Sequence, residues 1–309
     1  MRIALTGVSS FTGFHIASAL RSAGHEVLGI LTRSPEAYAV PLLQARLGLS
    51  NIKQEMLFYE APFGSANFLS AIKNFTPQVF INHGAEIKGY RSPDFDAVAA
   101  SMVSLLNADK VIQVLAKADC ARVVHSGTVF EPIDGIAALS PYGQSKFMVS
   151  ERLYELCESV GLSFSKVYIP NPIGSFENED RLIPIFVKQW RAGAVPHLST
   201  PKIVWDHLPA PWLAKVYLDE SELDEGTKKL SIRRPSAFKI ELGQFVERFV
   251  QHSQNLGLKR ELSFTVGESL AAPVPRLNTE PCAELCSDVA VNQFYSDWIH
   301  SLFDVGDFK

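Results

Sequence analysis

Short apolar runs alternate with stretches of helical, amphipathic spacing through the first half of the chain: Arg2 to Leu5 then Phe14 to Ala23; Glu26 to Leu31; Phe68 to Phe75 then Val79 to Asn82; Met102 to Ala118 then Arg122 to His125. Strands separated by helices do not pair as tight hairpins. Each helix instead carries the chain back across the sheet, and the strands lie parallel. The fold class expected is α/β, a doubly wound parallel sheet. Ligands of such a sheet gather at the carboxyl ends of its strands, so chemistry is sought there.

A long helical pattern runs from Tyr142 to about Val160, stops at Gly161 and is followed by a strand, Ser163 to Ile169. Beyond Pro170 the pattern changes. Prolines at 170, 172, 184, 196, 201, 209 and 211 interrupt it and predict a smaller, irregular α/β lobe that would hold substrate. The chain, 309 residues long, suits one large domain or two joined lobes. The expected division is a dinucleotide-binding Rossmann domain over 1–170, with returning elements at about 229–252 (a strand from Lys229 to Ile232 and a helix from Ile240 to His252), and a mainly substrate-binding lobe over 171–309.

A formal net charge of -4, without a Lys/Arg run, argues against a nucleic-acid partner. Cys120, Cys157, Cys282 and Cys286 are too few for a disulfide framework and are not spaced with histidines as metal ligands, so no metal is expected. The N-terminal run reaches Gly7 after three apolar residues, and no stretch is read as approaching membrane-spanning length. The expectation is a cytoplasmic protein with no membrane association.

The first strand leads into Thr6-Gly7-Val8-Ser9-Ser10-Phe11-Thr12-Gly13, where a helix should begin. A glycine turn at a helix start brings backbone N–H groups and the positive helix end against a pyrophosphate, although an ordinary strand-to-helix turn reads the same way. The middle glycine of such a turn is Ser10 here, whose hydroxyl can donate a hydrogen bond in compensation. The second strand ends in Thr32-Arg33-Ser34. An arginine at that place pairs with the 2′-phosphate of NADP, where an acidic residue would hold the 2′-hydroxyl of NAD; the alternative is a solvent-facing loop arginine. Asn82 leads into His83-Gly84-Ala85, small residues that let backbone approach a cofactor; a lone histidine there also serves as a loop or packing residue. Ser126 stands at the carboxyl end of the strand Arg122 to His125, where a hydroxyl can bond and orient a reacting oxygen. Tyr142 and Lys146, four residues apart on the next helix, share one face, and a neighbouring ammonium favours the phenolate. With 8 tyrosines in the chain such a pair is expected less than once by chance, so context gives it weight.

These pieces together resemble the extended branch of the short-chain dehydrogenase/reductase superfamily, the epimerase/dehydratase-like enzymes of nucleotide-activated sugars. The resemblance rests on Thr6-Gly7 to Gly13, Asn82-His83-Gly84-Ala85, Ser126 with Val129-Phe130, Tyr142 to Lys146, and Asn171-Pro172-Ile173-Gly174. It implies Tyr142 as general acid/base, Lys146 as the group that binds the nicotinamide ribose and depresses the tyrosine pKa, and Ser126 as the holder of the sugar oxygen. Cofactor contacts are implied at Gly7, Ser9, Ser10, Phe11, Thr12, Gly13, Arg33, His83, Gly84, Ala85, Tyr142, Lys146, Pro170 and Ile173. Substrate contacts are implied at Ser126, Asn171, Arg181, Lys188 and Arg276. A homodimer is implied through the helical stretches Met102 to Ala118 and Tyr142 to Cys157.

Departures from the family pattern guide the choice of reaction. Trp205-Asp206-His207 stands where many relatives carry Arg-Asp-Phe, Ser104 stands in the place of an asparagine, and Gly127-Thr128 replaces the Asp-Glu pair of 4,6-dehydratases. Dehydration is thereby disfavoured. Arg33 favours NADP, and the reading is an NADPH-dependent reductase of a nucleotide-linked 4-keto-6-deoxy sugar. The alternatives are a nucleotide-sugar 4-epimerase with retained NAD and a non-catalytic NADP-binding redox sensor.

Overall fold

The computed structural model describes residues 1–224, 229–268 and 276–308. Its strands are β1 (Arg2–Thr6), β2 (Glu26–Ile30), β3 (Leu57–Phe58), β4 (Val79–Asn82), β5 (Arg122–Thr128), β6 (Ser163–Ile169), β7 (Asn171–Ile173), β8 (His197–Leu198), β9 (Val204–Pro209), β10 (Leu230–Arg233), β11 (Pro235–Ser236), β12 (Phe238–Glu241), β13 (Thr265–Val266) and β14 (Glu280–Pro281). The helices are α1 (Phe11–Ser22), α2 (Pro41–Leu49), α3 (Ala66–Phe75), α4 (Ala97–Ser104), α5 (Ala108–Lys117), α6 (Pro141–Ser159), α7 (Leu182–Arg191), α8 (Ala210–Glu222), α9 (Leu242–Asn255) and α10 (Asp288–Leu302). Internal contacts divide the chain into two units, Met1–Ile169 with Leu213–Arg234, and Pro170–Trp212 with Pro235–Lys309.

The first unit is built on a seven-stranded sheet of order β10-β6-β5-β4-β1-β2-β3, parallel at every pairing. This is the doubly wound Rossmann arrangement expected from the alternating pattern. Its strand order reverses between β1 and β4, which opens a crevice at the carboxyl ends of β1, β4 and β5. Successive strand residues point to opposite faces. On one face Ala4, Leu28, Phe80, Val123 and Phe164 join Phe68 and Ile72 of α3, Val111, Ile112 and Leu115 of α5, and Val149 and Leu153 of α6 in one buried core. Ile3 and Leu5, fully buried, point the other way. Serines start the helices that carry the site: Ser10 caps α1 by accepting from the Gly13 amide, and Ser140 caps α6 by accepting from Gly143, with Pro141 at its first turn.

The expected helix from Met102 to Ala118 is two helices, because Asn107 takes a left-handed backbone (φ 50°) that ends α4 and starts α5. The stretch Ala97–Lys117, 21 residues containing an 18-residue window of mean hydropathy 1.3, is long and apolar enough to cross a membrane by length and composition, contrary to the expectation that none approaches that length. In the fold α5 buries Val111, Ile112 and Leu115 against the sheet, while α4 exposes Val98, Met102 and Val103.

The second unit contains a three-stranded sheet of order β12-β9-β7, with β12 antiparallel and β7 parallel to β9, and two further two-stranded pairings. Strand β10 returns to the main sheet, but the helix expected to return with it, α9, belongs to this second unit. Its Phe245 and Phe249 pack on Trp298 of α10, so its apolar face is already committed. The later part of α8 joins the first unit instead.

Candidate active site

Two glycines of the turn after β1 have no substitute. Gly7 has φ +71°, and a Cβ on it would stand 3.0 Å from the Gly84 amide nitrogen; a Cβ on Gly13 would stand 2.1 Å from the Gly7 carbonyl oxygen. The turn is thus pressed against both α1 and the end of β4. Thr6 Oγ1 secures the junction by accepting from the amides of His83 and Gly84, at 2.9 and 2.8 Å. Ser10 takes the middle position without strain (φ −73°), and its hydroxyl accepts from Gly13 N at 3.0 Å instead of serving only as a donor. The first turn of α1 contains no acidic residue, so its positive end is not neutralised by its own helix. A bare turn and an uncompensated helix start fit a pyrophosphate, and thus a dinucleotide.

Register brings the next residues beside this turn. Asn82 of β4 pairs with His125 of β5, so His83 and Ser126, one residue further on, are neighbours. His83 Nδ1 lies 2.7 Å from Ser126 Oγ, while Nε2 lies 2.8 Å from Thr12 Oγ1 and 3.2 Å from Ser10 Oγ. The imidazole therefore connects the glycine turn to the serine. From α8, Tyr217 Oη reaches Ser126 Oγ at 2.6 Å, and its ring meets the His83 ring edge to face with centroids 5.9 Å apart. Burial, and next to it the Lys146 ammonium, push the His83 pKa down to about 3, so the ring is neutral near pH 7. Burial raises the Tyr217 phenol, against the Ser126 hydrogen bond. Tyr217 carries no sequence signal: it lies 91 residues from Ser126 in an ordinary helix.

Tyr142 and Lys146 lie on the first turns of α6, with the Tyr142 ring edge to face with Tyr90 (5.2 Å) and Phe95 (6.2 Å). The expected depression of the tyrosine pKa is not what the structure gives. Burial, followed by Tyr90 and Glu131, raises the phenol above its ordinary value. Burial also lowers Lys146, to about 8, against the opposing pull of Glu131. Loss of water dominates here, because a desolvated phenolate forfeits hydration that its neighbours Tyr90 and Glu131 do not restore.

Glu131, fully buried, was not singled out by the sequence. It accepts from the Thr128 amide at 2.7 Å and pairs with Lys166 of β6 at 2.7 Å. A Cβ on Gly127 would stand 2.7 Å from its Oε1. The volume that a dehydratase-like acidic side chain at 127 would need is therefore filled by Glu131. Arg33, at the end of β2, is exposed; its guanidinium lies over the Tyr38 ring, 4.7 Å from the centroid, and its amide donates to Tyr38 Oη at 3.3 Å.

Pro170, Asn171, Ile173, Arg181, Lys188 and Arg276 belong to the second unit. Arg181 donates to Glu177 Oε2 (2.7 Å), Asn171 Oδ1 (2.8 Å) and the Pro172 carbonyl. Asn171 Nδ2 also meets His207 Nδ1 at 2.9 Å, and the His207 ring stacks on Phe245 at 3.7 Å. Asn171, Arg181 and His207 thus form one internally bonded cluster. Lys188 is exposed on α7, Arg276 is buried, and Pro170 and Ile173 are buried.

A family model described as the NAD dependent epimerase/dehydratase family matches residues 3–211. Among curated proteins none matches the sequence. Solved structures share the fold at low identity. UDP-glucose 4-epimerase from Thermotoga maritima, solved with UDP-glucose, has a TM-score of 0.71 at 15% identity, covering 97% of this chain and 98% of that one. dTDP-glucose 4,6-dehydratase from Streptomyces venezuelae, with NAD bound, gives 0.71 at 16%, covering 97% and 96%. UDP-glucuronic acid 4-epimerase from Bacillus cereus, in complex with UDP-glucuronic acid and NAD, gives 0.69 at 14%, covering 98% and 99%.

Proposed function

The chain belongs to the NAD dependent epimerase/dehydratase family, and on that premise we propose that it reduces a nucleotide-linked 4-keto-6-deoxy sugar with NADPH. The observation that carries the reading is Tyr142, half-buried at the head of α6 one turn before the buried Lys146, with its phenol pKa raised. A phenol that keeps its proton at neutral pH suits a general acid, which must hold the proton until a developing alkoxide takes it.

Gly7, Ser9, Ser10, Phe11, Thr12, Gly13, Gly84 and Ala85 would line the dinucleotide, and Lys146 would bond its ribose. Bound there, the dinucleotide supplies the hydride for the keto carbon. Ser126 holds the keto oxygen by a hydrogen bond and draws charge onto it. Tyr142 protonates that oxygen. Arg33, exposed and braced over Tyr38, supports the 2′-phosphate form of the cofactor. Filling of the space at Gly127 by Glu131 argues against elimination of water.

A second reading, 4-epimerisation with retained NAD, is favoured by the folds shared with the Thermotoga and Bacillus 4-epimerases, the latter solved with NAD. The test is the nucleotide that accompanies the purified protein, followed by oxidation of NADPH with dTDP-4-keto-6-deoxyglucose at 340 nm. Tightly bound NAD, with no preference for added NADPH, overturns the reductase in favour of the epimerase. Substrate contact by Asn171 and Arg181 requires their present bonds to be exchanged for bonds to the ligand.

The same proposal includes a homodimer and a cytoplasmic location. Val98, Met102 and Val103 of α4 and Leu106 beside it are about half or more exposed, an apolar face that a second copy of the chain would cover. Met102→Glu should then turn a dimer into a monomer in analytical ultracentrifugation; a wild-type monomer rejects the pairing.

A further inference from the structure

We infer that His83 and Tyr217 both direct their protons at Ser126, filling its two acceptor positions and leaving its hydroxyl to donate to the reacting oxygen, which on the keto-sugar reading above is a carbonyl. A serine hydroxyl has one proton and accepts two. Two short contacts already converge on Ser126 Oγ, 2.7 Å from His83 Nδ1 and 2.6 Å from Tyr217 Oη.

The direction of each proton follows from what lies behind it. A neutral imidazole has one N–H and one lone pair. His83 Nε2 faces two hydroxyls, Thr12 Oγ1 at 2.8 Å and Ser10 Oγ at 3.2 Å. Ser10 Oγ already accepts from Gly13 N, so its own proton is available to give. In this arrangement Nε2 accepts from one of these hydroxyls, and the ring proton sits on Nδ1, aimed at Ser126. The low pKa of His83 keeps the ring in this neutral form.

Tyr217 is fully buried, and Ser126 is the hydrogen-bond partner of its hydroxyl. Were Ser126 the donor, the phenol proton would be left buried without an acceptor, which is costly. With Tyr217 donating, every group in the line Ser10/Thr12, His83, Ser126, Tyr217 is satisfied. The one proton left over belongs to Ser126 and points at the reacting oxygen. A ketone accepts it directly.

The tautomer is tested on the full chain labelled with 15N-histidine. The His83 signals, identified by their loss in His83→Asn or their shift in Tyr217→Phe, should show a protonated Nδ1 and a bare Nε2, unchanged from pH 8 to pH 5. A protonated Nε2, or an imidazolium at pH 5, overturns the inference whatever the enzyme reduces. In NADPH oxidation with dTDP-4-keto-6-deoxyglucose, Tyr217→Phe should lower kcat roughly tenfold, less than the roughly hundredfold of losing a direct donor, with KM for NADPH unchanged. An intact kcat with a lowered Tm would assign Tyr217 to packing and overturn its part in the line. If the wild-type protein oxidises no NADPH with this sugar, the reductase reading fails, and the tautomer still decides the proton arrangement.

Discussion

Around Ser126 in the first unit, a histidine nitrogen and a tyrosine hydroxyl converge on one oxygen, at 2.7 and 2.6 Å, and in the arrangement inferred above both donate to it. Around Asn171 in the second unit they run in a closed cluster, Glu177 to Arg181, Arg181 to Asn171, Asn171 to His207. Both regions carry residues of the family motifs, yet they spend their polar groups differently. A parallel sheet explains the difference, because register places residues from distant strands side by side and rigid strands keep them there. The second unit is built on short strands and prolines, and its polar residues use one another to satisfy their burial.

The largest effect that would sharpen this contrast is Tyr142→Phe. Turnover should fall at least about a hundredfold, as for loss of a general acid, with NADPH binding unchanged in fluorescence titration. Unchanged turnover would remove the chemistry from the first unit altogether. Next in size is Arg181→Met, which strips a cation from Glu177, whose side chain is 3% exposed. It should destabilise by about 3 kcal/mol in urea unfolding, the lower end for removing one member of a buried pair. Full stability with a raised KM for the sugar would break the comparison, since the cluster would then be serving substrate and not itself.

Gly13→Ala should cost about 1–3 kcal/mol, because the new methyl group meets the Gly7 carbonyl, and it should weaken NADPH binding as the turn shifts. Equal affinity in the variant would mean that the turn does not hold the dinucleotide.

The smallest effects are in pH. His83 titrates near 3 when folded against an ordinary 6.5, so the unfolded chain binds the extra proton in that window. Its contribution to stability is complete above 6.5 and is lost as pH falls toward 3. Lys146 has the same sign in a higher window: folded near 8 against 10.5, it lets stability rise between those values. Urea midpoints across pH should show both limbs, with the acid limb flattened in His83→Asn. An unflattened limb would place the acid sensitivity on other groups.

Much of the first unit is legible in the sequence. Alternating strands and helices gave the doubly wound sheet, and the spacing from Thr6 to Gly13 gave the turn whose first and last glycines have no room for a side chain. Ser126, Tyr142 and Lys146 stand on the elements expected of them. Other features had no local signature. Tyr217 enters from a helix without a motif, Glu131 folds back into the space beside Gly127, and Asn107 divides one expected helix in two. The expected direction of the Tyr142 pKa was wrong because spacing reports which charges are near and says nothing of how much water is lost.

The sequence by itself determined the class of fold, the glycine turn after β1 and the elements on which Ser126, Tyr142 and Lys146 stand, since each depends on periodicity or on residues close in the chain. Tertiary structure decided their surroundings: that burial raises the Tyr142 phenol and lowers His83, and that His83 and Tyr217, far apart in sequence, converge on Ser126. Burial and long-range convergence set these properties, and both arise only once the sheet has brought its strand ends together.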